Sequence, residues 1–373
     1  MNPLKALHDH GQSVWLDFIR RNLIKSGELG RLIDRDGVRG VTSNPSIFEK
    51  AIAGSGDYTE SLASAPREWT AMQVYESLAI ADIRDAAEVL RPVYEQSRGR
   101  DGYVSLEVSP YLADKTAETV DEARRLWRAV DRPNLMIKVP ATAAGIPAIR
   151  TLISEGINVN VTLLFAQETY EAVAQAYIAG LAERTRAGAD VSKIASVASF
   201  FVSRIDTLVD GMIDKRIASN PAGADRAAIE GLRGKIAIAN AKLAYQRYLR
   251  LYRSEHWQAL AAKGAQTQRL LWASTSTKNP SYRDVMYVEE LIGPETVNTI
   301  PPATMDAFRE HGAAHETLTE GIDRAGEEMD ALARAGISMK EVTDRLVQEG
   351  VKLFADAFDQ LLAAVTKATG AKA

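Results

Sequence analysis

Cysteine is absent from the 373 residues. That removes disulfides, thiolate nucleophiles and cysteine-ligated zinc or iron–sulfur centres together. Histidine is scarce: His8, His10, His256, His311 and His315 are all there is. None falls in an H-E-x-x-H or comparable spacing, so no metal is expected. A basic excess is missing too, with 45 Lys and Arg against 49 Asp and Glu and a formal net charge of −4. Nucleic acid is therefore not an expected partner. No run approaches ~18 consecutive apolar residues, so no membrane span is expected. The first 21 residues lack an uninterrupted apolar core, do not read as a secretory signal, and leave a cytoplasmic location as the expectation.

What is present is ordinary in bulk, with 46% hydrophobic and 25% charged residues, and specific in its pattern. Short β-rich apolar runs occur at 14–17, 40–43, 104–108, 135–139, 158–164, 195–201, 269–273 and 297–300. Helical patterns lie between them, among others at 69–90, 115–129, 166–186 and 235–252. Eight strands separated by helix-length sequence predict a closed parallel (β/α)8 barrel, which needs about 250 residues and tolerates insertions. A doubly wound open sheet is the competing topology, but no G-x-G-x-x-G follows any strand. The glycines of Gly231-Leu-Arg-Gly-Lys235 have the wrong spacing for a phosphate-binding loop. Residues 218–231 read as an insertion and only the tail from 363 to 373 is compositionally simple, so residues 1–373 are expected to form one domain. A final helix over about 339–366 carries Val342, Leu346, Val347, Leu353, Phe354 and Phe358 at helical spacing and is expected to pack across the barrel.

Function in such a barrel gathers at the C-terminal ends of the strands. Those positions hold Asp17, Thr42-Ser43-Asn44, Glu107, Lys138, Asn158, Asn160, Thr162, Ser199, Ser203-Arg204 and Ser274. Strands buried on both faces are otherwise nearly all apolar, and an unpaired buried polar group costs about 1–3 kcal/mol. Lys138 is the only lysine flanked on both sides by strand-type apolar residues. Burial there is expected to lower its pKa and free a nucleophilic amine. A structural lysine paired with a buried carboxylate fits the spacing equally well. Glu107 and Asp17 end two other strands, and carboxylates in different environments can divide acid and base work. Each alone also reads as a helix cap or a counter-charge to Lys138.

Asn158, Asn160 and Thr162 alternate with apolar residues and share one strand face, which suits a polyhydroxylated ligand. Simple core hydrogen bonding remains open for Asn158, and the sequon Asn160-Val-Thr162 is a chance match inside a strand. Ser199, Arg204, Ser274 and Lys278 follow the sixth and seventh strands, where phosphate sites frequently form. Tyr245, Tyr248, Leu249 and Tyr252, with Arg247, Arg250 and Arg253 nearby, read as a core-facing stripe rather than a nucleic-acid surface.

Four segments together resemble the transaldolase family: Gly40-Val-Thr-Ser-Asn-Pro-Ser-Ile-Phe48, Leu135-Met-Ile-Lys-Val-Pro140, Gly156-Ile-Asn-Val-Asn-Val-Thr-Leu-Leu-Phe165 and Ser199-Phe-Phe-Val-Ser-Arg-Ile-Asp206. The length resembles the longer branch of that family. The resemblance implies a barrel of the class I aldolase type with extra N- and C-terminal helices. It implies transfer of a dihydroxyacetone unit between sugar phosphates in the non-oxidative pentose phosphate pathway, with no cofactor, by a monomer or homodimer. Lys138 matches the Schiff-base lysine, Glu107 the acid/base working through a water, and Thr162 the residue that helps hold it. Asp17 matches the base at the C4 hydroxyl, Asn44 and Asn160 the groups holding dihydroxyacetone, and Arg204 and Ser274 the phosphate site. Two departures stand out. Phe18-Ile19-Arg20-Arg21 follow Asp17 where small polar residues are usual, and Ser276 stands where an arginine is usual, leaving Lys278 as the next candidate. A fructose-6-phosphate aldolase and a non-catalytic phosphosugar-binding barrel are the alternatives.

Overall fold

The computed structural model describes residues 2–219 and 226–370. Eight parallel strands, β1 (Gln12–Leu16), β2 (Val38–Val41), β3 (Tyr103–Glu107), β4 (Leu135–Pro140), β5 (Val159–Leu164), β6 (Ser196–Phe201), β7 (Arg269–Ala273) and β8 (Thr296–Ile300), close into a barrel in sequence order. All eight predicted strands are there, as are the long helices between them. The strands are buried throughout except at Arg39 and Glu107, because side chains fill the inside while helices cover the outside. Asp17 falls one residue beyond β1, its N–H donating to the Ile300 carbonyl at 2.9 Å. Gly40 has no substitute in β2, since a Cβ there would lie 2.4 Å from the Trp15 indole. Among the described residues no helix is long and apolar enough to cross a membrane.

The bottom of the barrel is closed by charge. Arg269 opens β7 and pairs with Asp101 at 2.9 Å, their side chains only 5% and 6% exposed. Ser13 of β1 accepts from Arg269 at 2.7 Å and donates to Asp101 at 2.7 Å, and the Trp15 indole N–H adds a third bond to Asp101 at 3.1 Å. Burial alone would raise the Asp101 pKa, but the Arg269 charge and these hydrogen bonds hold it below the ordinary value. Stability from this carboxylate is thus complete above the unfolded-state pKa and is lost as pH falls through the lower folded-state value. Asp101→Ala strands a buried guanidinium and is expected to cost about 3–5 kcal/mol. Thermal unfolding should shift down by several degrees with kcat at 25 °C preserved; an unchanged midpoint would mean the pair contributes nothing.

The large charged residues after Asp17 have structural partners. Arg21 is buried, donates to Asp82 at 2.8 Å and to Ser61 at 2.7 Å, and lies 4.6 Å over the Tyr58 ring. Arg20 pairs with Asp57 at 2.8 Å. The two arginines tie the β1 exit to residues 57–61 and to the helix Ala71–Gln96.

The terminal helix spans Met339–Thr369 and packs against the helix Pro45–Ala53, the helix Ala71–Gln96 and β5. Its buried face runs through Leu346, Gly350, Phe354, Phe358, Leu361 and Val365. Leu353, expected on that face, is instead 55% exposed: a 3.6-residue period puts it a quarter-turn away from Phe354. Gly350 permits close approach, as a Cβ would lie 2.7 Å from Leu163 Cδ2. Phe358 stands edge-on to Tyr75 and Tyr111. The expected tyrosine stripe is buried at Tyr245, Tyr248 and Tyr252, and Arg247 is occupied by Glu168 and Glu171. Part of the expected insertion, residues 220–225, and the last residues of the simple tail, 371–373, lie outside the described residues.

Candidate active site

At the C-terminal ends of the strands lies a cavity of about 380 Å³. Eight of the ten residues expected at the site line it: Asp17, Asn44, Lys138, Thr162, Ser199, Arg204, Ser274 and Lys278. The barrel register explains the convergence on Lys138, which pairs with Glu107 of β3 on one side and Asn160 of β5 on the other. Registered residues of neighbouring parallel strands point to the same face, here the interior. Lys138 Nζ donates to the Ser43 carbonyl at 2.9 Å and lies 3.5 Å from Glu107 Oε2.

Glu107 does not line the main cavity. It sits behind Lys138 and borders a second cavity of about 20 Å³ beside Tyr75, Glu76, Ser109 and Glu122, enough space for one water. Burial pushes the Glu107 carboxyl above its ordinary value against the pull of the Lys138 charge. Among the described residues, Glu107 Oε2 and Thr162 Oγ1 have no hydrogen-bond partner. Two buried atoms with unused capacity flank the lysine strand, one on each neighbour. Leu163, the residue after Thr162, has φ of +55° within a register shift between β5 and β6. A bulge of this kind re-aims side chains at a strand end.

Asp17 is held from both sides. Thr42 Oγ1 donates to Asp17 Oδ1 at 2.7 Å and lies 2.7 Å from Thr299 Oγ1. With the Thr42 proton committed to the carboxylate, Thr299 donates to Thr42. Burial raises the Asp17 pKa; the Thr42 bond and the charges of Lys138, Lys278 and Arg204 oppose it. Asn44 caps the helix Pro45–Ala53, its side-chain oxygen accepting from the Ile47 N–H at 2.9 Å. That bond fixes the side chain while leaving its amide nitrogen out of the cap.

Asn160 lies beneath the cavity wall. It donates to Ser105 Oγ at 3.0 Å and accepts from Ser199 Oγ at 2.6 Å. Asn158 proves to be a core residue, bonded to the Pro133 and Leu135 carbonyls and to the Ala195 N–H. Arg204, in the first turn of the helix Ser203–Ser219, lies 5.1 Å over the Phe201 ring. Burial lowers its pKa and Asp17 opposes. Ser274 adopts φ of +57° at the end of β7, with its Oγ 3.0 Å from Ser203 Oγ and its carbonyl accepting from the Ser203 N–H. A non-glycine residue in the left-handed region costs about 1–2 kcal/mol, so the strand ends here under strain that aims a hydroxyl beside Arg204. Lys278 Nζ donates to Ser276 Oγ at 2.7 Å.

Several contributors were not among the expected residues. Thr42 and Ser43 belong to the polar strand-end set, but their partners carry no sequence signal. Thr299, Lys50 and Phe354 also border the site, and each reads in sequence as an ordinary strand, surface or core residue. No group of three or more His, Asp or Glu side chains among the described residues is placed to hold a metal.

Fold and pocket together define a (β/α)8-barrel enzyme whose strand ends gather Lys138, Asp17, Arg204 and Lys278 around one cavity, with Glu107 next to the lysine. Comparison with known proteins narrows this class. Residues 14–365 match the family described as Transaldolase/Fructose-6-phosphate aldolase, and the chain belongs to that family. It is 50% identical over 364 residues to the transaldolase of Trichodesmium erythraeum, covering 97% of this chain and 96% of the relative. The Thiobacillus denitrificans transaldolase is 49% identical, with 98% and 100% covered. Transaldolase 1 of Streptomyces coelicolor is 50% identical, with 99% and 95% covered.

Proposed function

We propose that the chain transfers a dihydroxyacetone unit from a ketose phosphate to an aldose phosphate through an imine on Lys138. The reaction belongs to the non-oxidative pentose phosphate pathway, where sedoheptulose 7-phosphate and glyceraldehyde 3-phosphate exchange with erythrose 4-phosphate and fructose 6-phosphate. The observation that carries the Lys138 assignment is its place in the same pocket as Asp17 with Glu107 3.5 Å from its amine.

Glu107 takes the ammonium proton of Lys138, the resulting amine attacks the C2 carbonyl, and its proton passes to the oxygen. Protonated Glu107, through a water held by Thr162, delivers a proton to the carbinolamine hydroxyl, which leaves as water. The iminium draws the C3–C4 electrons as Asp17 takes the C4 hydroxyl proton, the aldehyde departs, and a neutral enamine stays on the lysine. An acceptor aldehyde then takes the proton back from Asp17 as the new bond forms. Water deprotonated by Glu107 hydrolyses the iminium and resets the site. Support for the water comes from Glu107 Oε2 and Thr162 Oγ1, which make no hydrogen bond among the described residues. Asn44 and Ser199 hold the dihydroxyacetone hydroxyls, and Asn160 acts through Ser199. Arg204, Ser274 and Lys278 receive the phosphate. Residues 1–373 act as one barrel domain, a monomer or homodimer in the cytoplasm, on sugar phosphates rather than nucleic acid.

A transfer assay tests the reading. Fructose 6-phosphate labelled in C1–C3, mixed with erythrose 4-phosphate, should pass its label to sedoheptulose 7-phosphate with no free dihydroxyacetone. Steady release of free dihydroxyacetone without an acceptor would favour the aldolase alternative.

Arg204→Ala tests the phosphate corner. The phosphate lies far from the breaking bond, so its binding is largely uniform between ground and transition states. KM for fructose 6-phosphate should rise strongly with a smaller change in kcat. A loss of about 2–4 kcal/mol corresponds to ~30- to 1000-fold in kcat/KM. Unphosphorylated fructose should lose little; equal losses on both sugars would remove Arg204 from the phosphate site.

A further inference from the structure

Ser46, Ile47 and Lys50 of the helix Pro45–Ala53 line the same cavity as Arg204 and Lys278. Positions 46, 47 and 50 are separated by three and four residues and share a helical face. The helix is fixed at its start by the Asn44 cap and along its length by the terminal helix. Lys50 therefore projects from a braced element, not from a loose loop. Among the described residues no carboxylate pairs with it. Lys278, in the same cavity, is held below the ordinary ammonium value by partial burial and by the neighbouring charges of Arg204 and Lys50, with Asp17 opposing. Like charges are thus gathered here at a cost, although the chain as a whole carries an excess of acid.

We propose that Lys50 is the third cation of the phosphate subsite, reaching the substrate dianion from the helix Pro45–Ala53. This rests on the assignment of the phosphate to Arg204 and Lys278. Arg204, Lys278 and Lys50 then set three positive charges around the dianion, while Lys138 also acts on the Asp17 carboxylate. With Ser276 in place of the family's usual arginine, Lys50 supplies the cation that the corner would otherwise lack. The replacement also differs in kind. A guanidinium offers a rigid planar fork, whereas an ammonium on a four-carbon stem is a mobile point charge. Two such lysines flanking one arginine tolerate a phosphate on C6 of one ketose and on C7 of the other.

The test sets Lys50→Ala, Lys50→Arg and Arg204→Ala side by side, with fructose 6-phosphate, sedoheptulose 7-phosphate and unphosphorylated fructose as donors and inorganic phosphate as a competitive inhibitor. Lys50 sits at the exposed rim, so its effect is screened and smaller than that of Arg204. Lys50→Ala should raise KM for both phosphorylated donors about five- to tenfold, with kcat within about twofold. Inhibition by phosphate should weaken by a similar factor, the difference should shrink in high salt, and Lys50→Arg should restore most of it. An unchanged KM and phosphate inhibition, or an equal rise in KM for fructose, would overturn the role of Lys50. If Arg204→Ala is selective for phosphorylated donors while Lys50→Ala is not, only Lys50 is removed. If neither is selective, the phosphate corner itself is wrongly assigned.

Discussion

Lys138→Ala is expected to lower kcat by about 10,000-fold or more, equivalent to roughly 5 kcal/mol of lost transition-state stabilisation. Removing a partner from a buried ion pair usually endangers the fold, because the remaining charge is left without compensation. Here the remaining partner has an escape. Burial already pushes the Glu107 carboxyl upward, and without the Lys138 charge to oppose it Glu107 takes up a proton and stays neutral. The variant should therefore fold, bind sugar phosphates at the cationic corner, and fail in chemistry alone. Lys138→Arg should fail as completely, since a guanidinium does not deprotonate to give a nucleophile. Substantial turnover by either variant would assign the covalent chemistry to another group.

The second large effect separates the two carboxylates. Asp17→Asn should permit imine formation but block C3–C4 cleavage, so the intact ketose accumulates on Lys138. Glu107→Gln should slow imine formation and hydrolysis instead, with cleavage intact once the iminium forms. The structure gives the two groups different surroundings: Asp17 is oriented by Thr42 at 2.7 Å in the open pocket, whereas Glu107 sits behind the lysine. As a base, Asp17 must be ionised, and its pKa is raised. Cleavage should therefore decline as pH falls through a value above the ordinary carboxylate range, and that limb should vanish in Asp17→Asn. Loss of both steps in both variants would contradict the division of labour.

The barrel was legible because its strands are buried on both faces and stand out as apolar runs, and the chemistry because polar residues interrupt those runs at one end. Lys138 was visible for that reason alone. Its partners were not, because inter-strand register decides them: Glu107 meets Lys138 only because β3 and β4 pair in that alignment, and the Ser43 carbonyl carries no side-chain signal. Asp17 is legible as a carboxylate at a strand end, but Thr42 and Thr299, which orient it, come from the two neighbouring strands. Asn160 was read as a pocket residue and lies one layer beneath, since a period-two pattern gives the face but not the depth. Lys50 had no signal, because a rim lysine on an amphipathic helix resembles any other surface lysine. Leu353 shows the opposite error, an apolar residue assigned to a buried face that helical geometry turns toward water.

The most direct test of the central claim is to reduce the enzyme with borohydride in the presence of fructose 6-phosphate and locate the modification by peptide mass spectrometry. One covalent adduct per chain, with the mass of reduced dihydroxyacetone or of the reduced ketose phosphate and situated on Lys138, is the expected result; no adduct, or one on any other lysine, would contradict it.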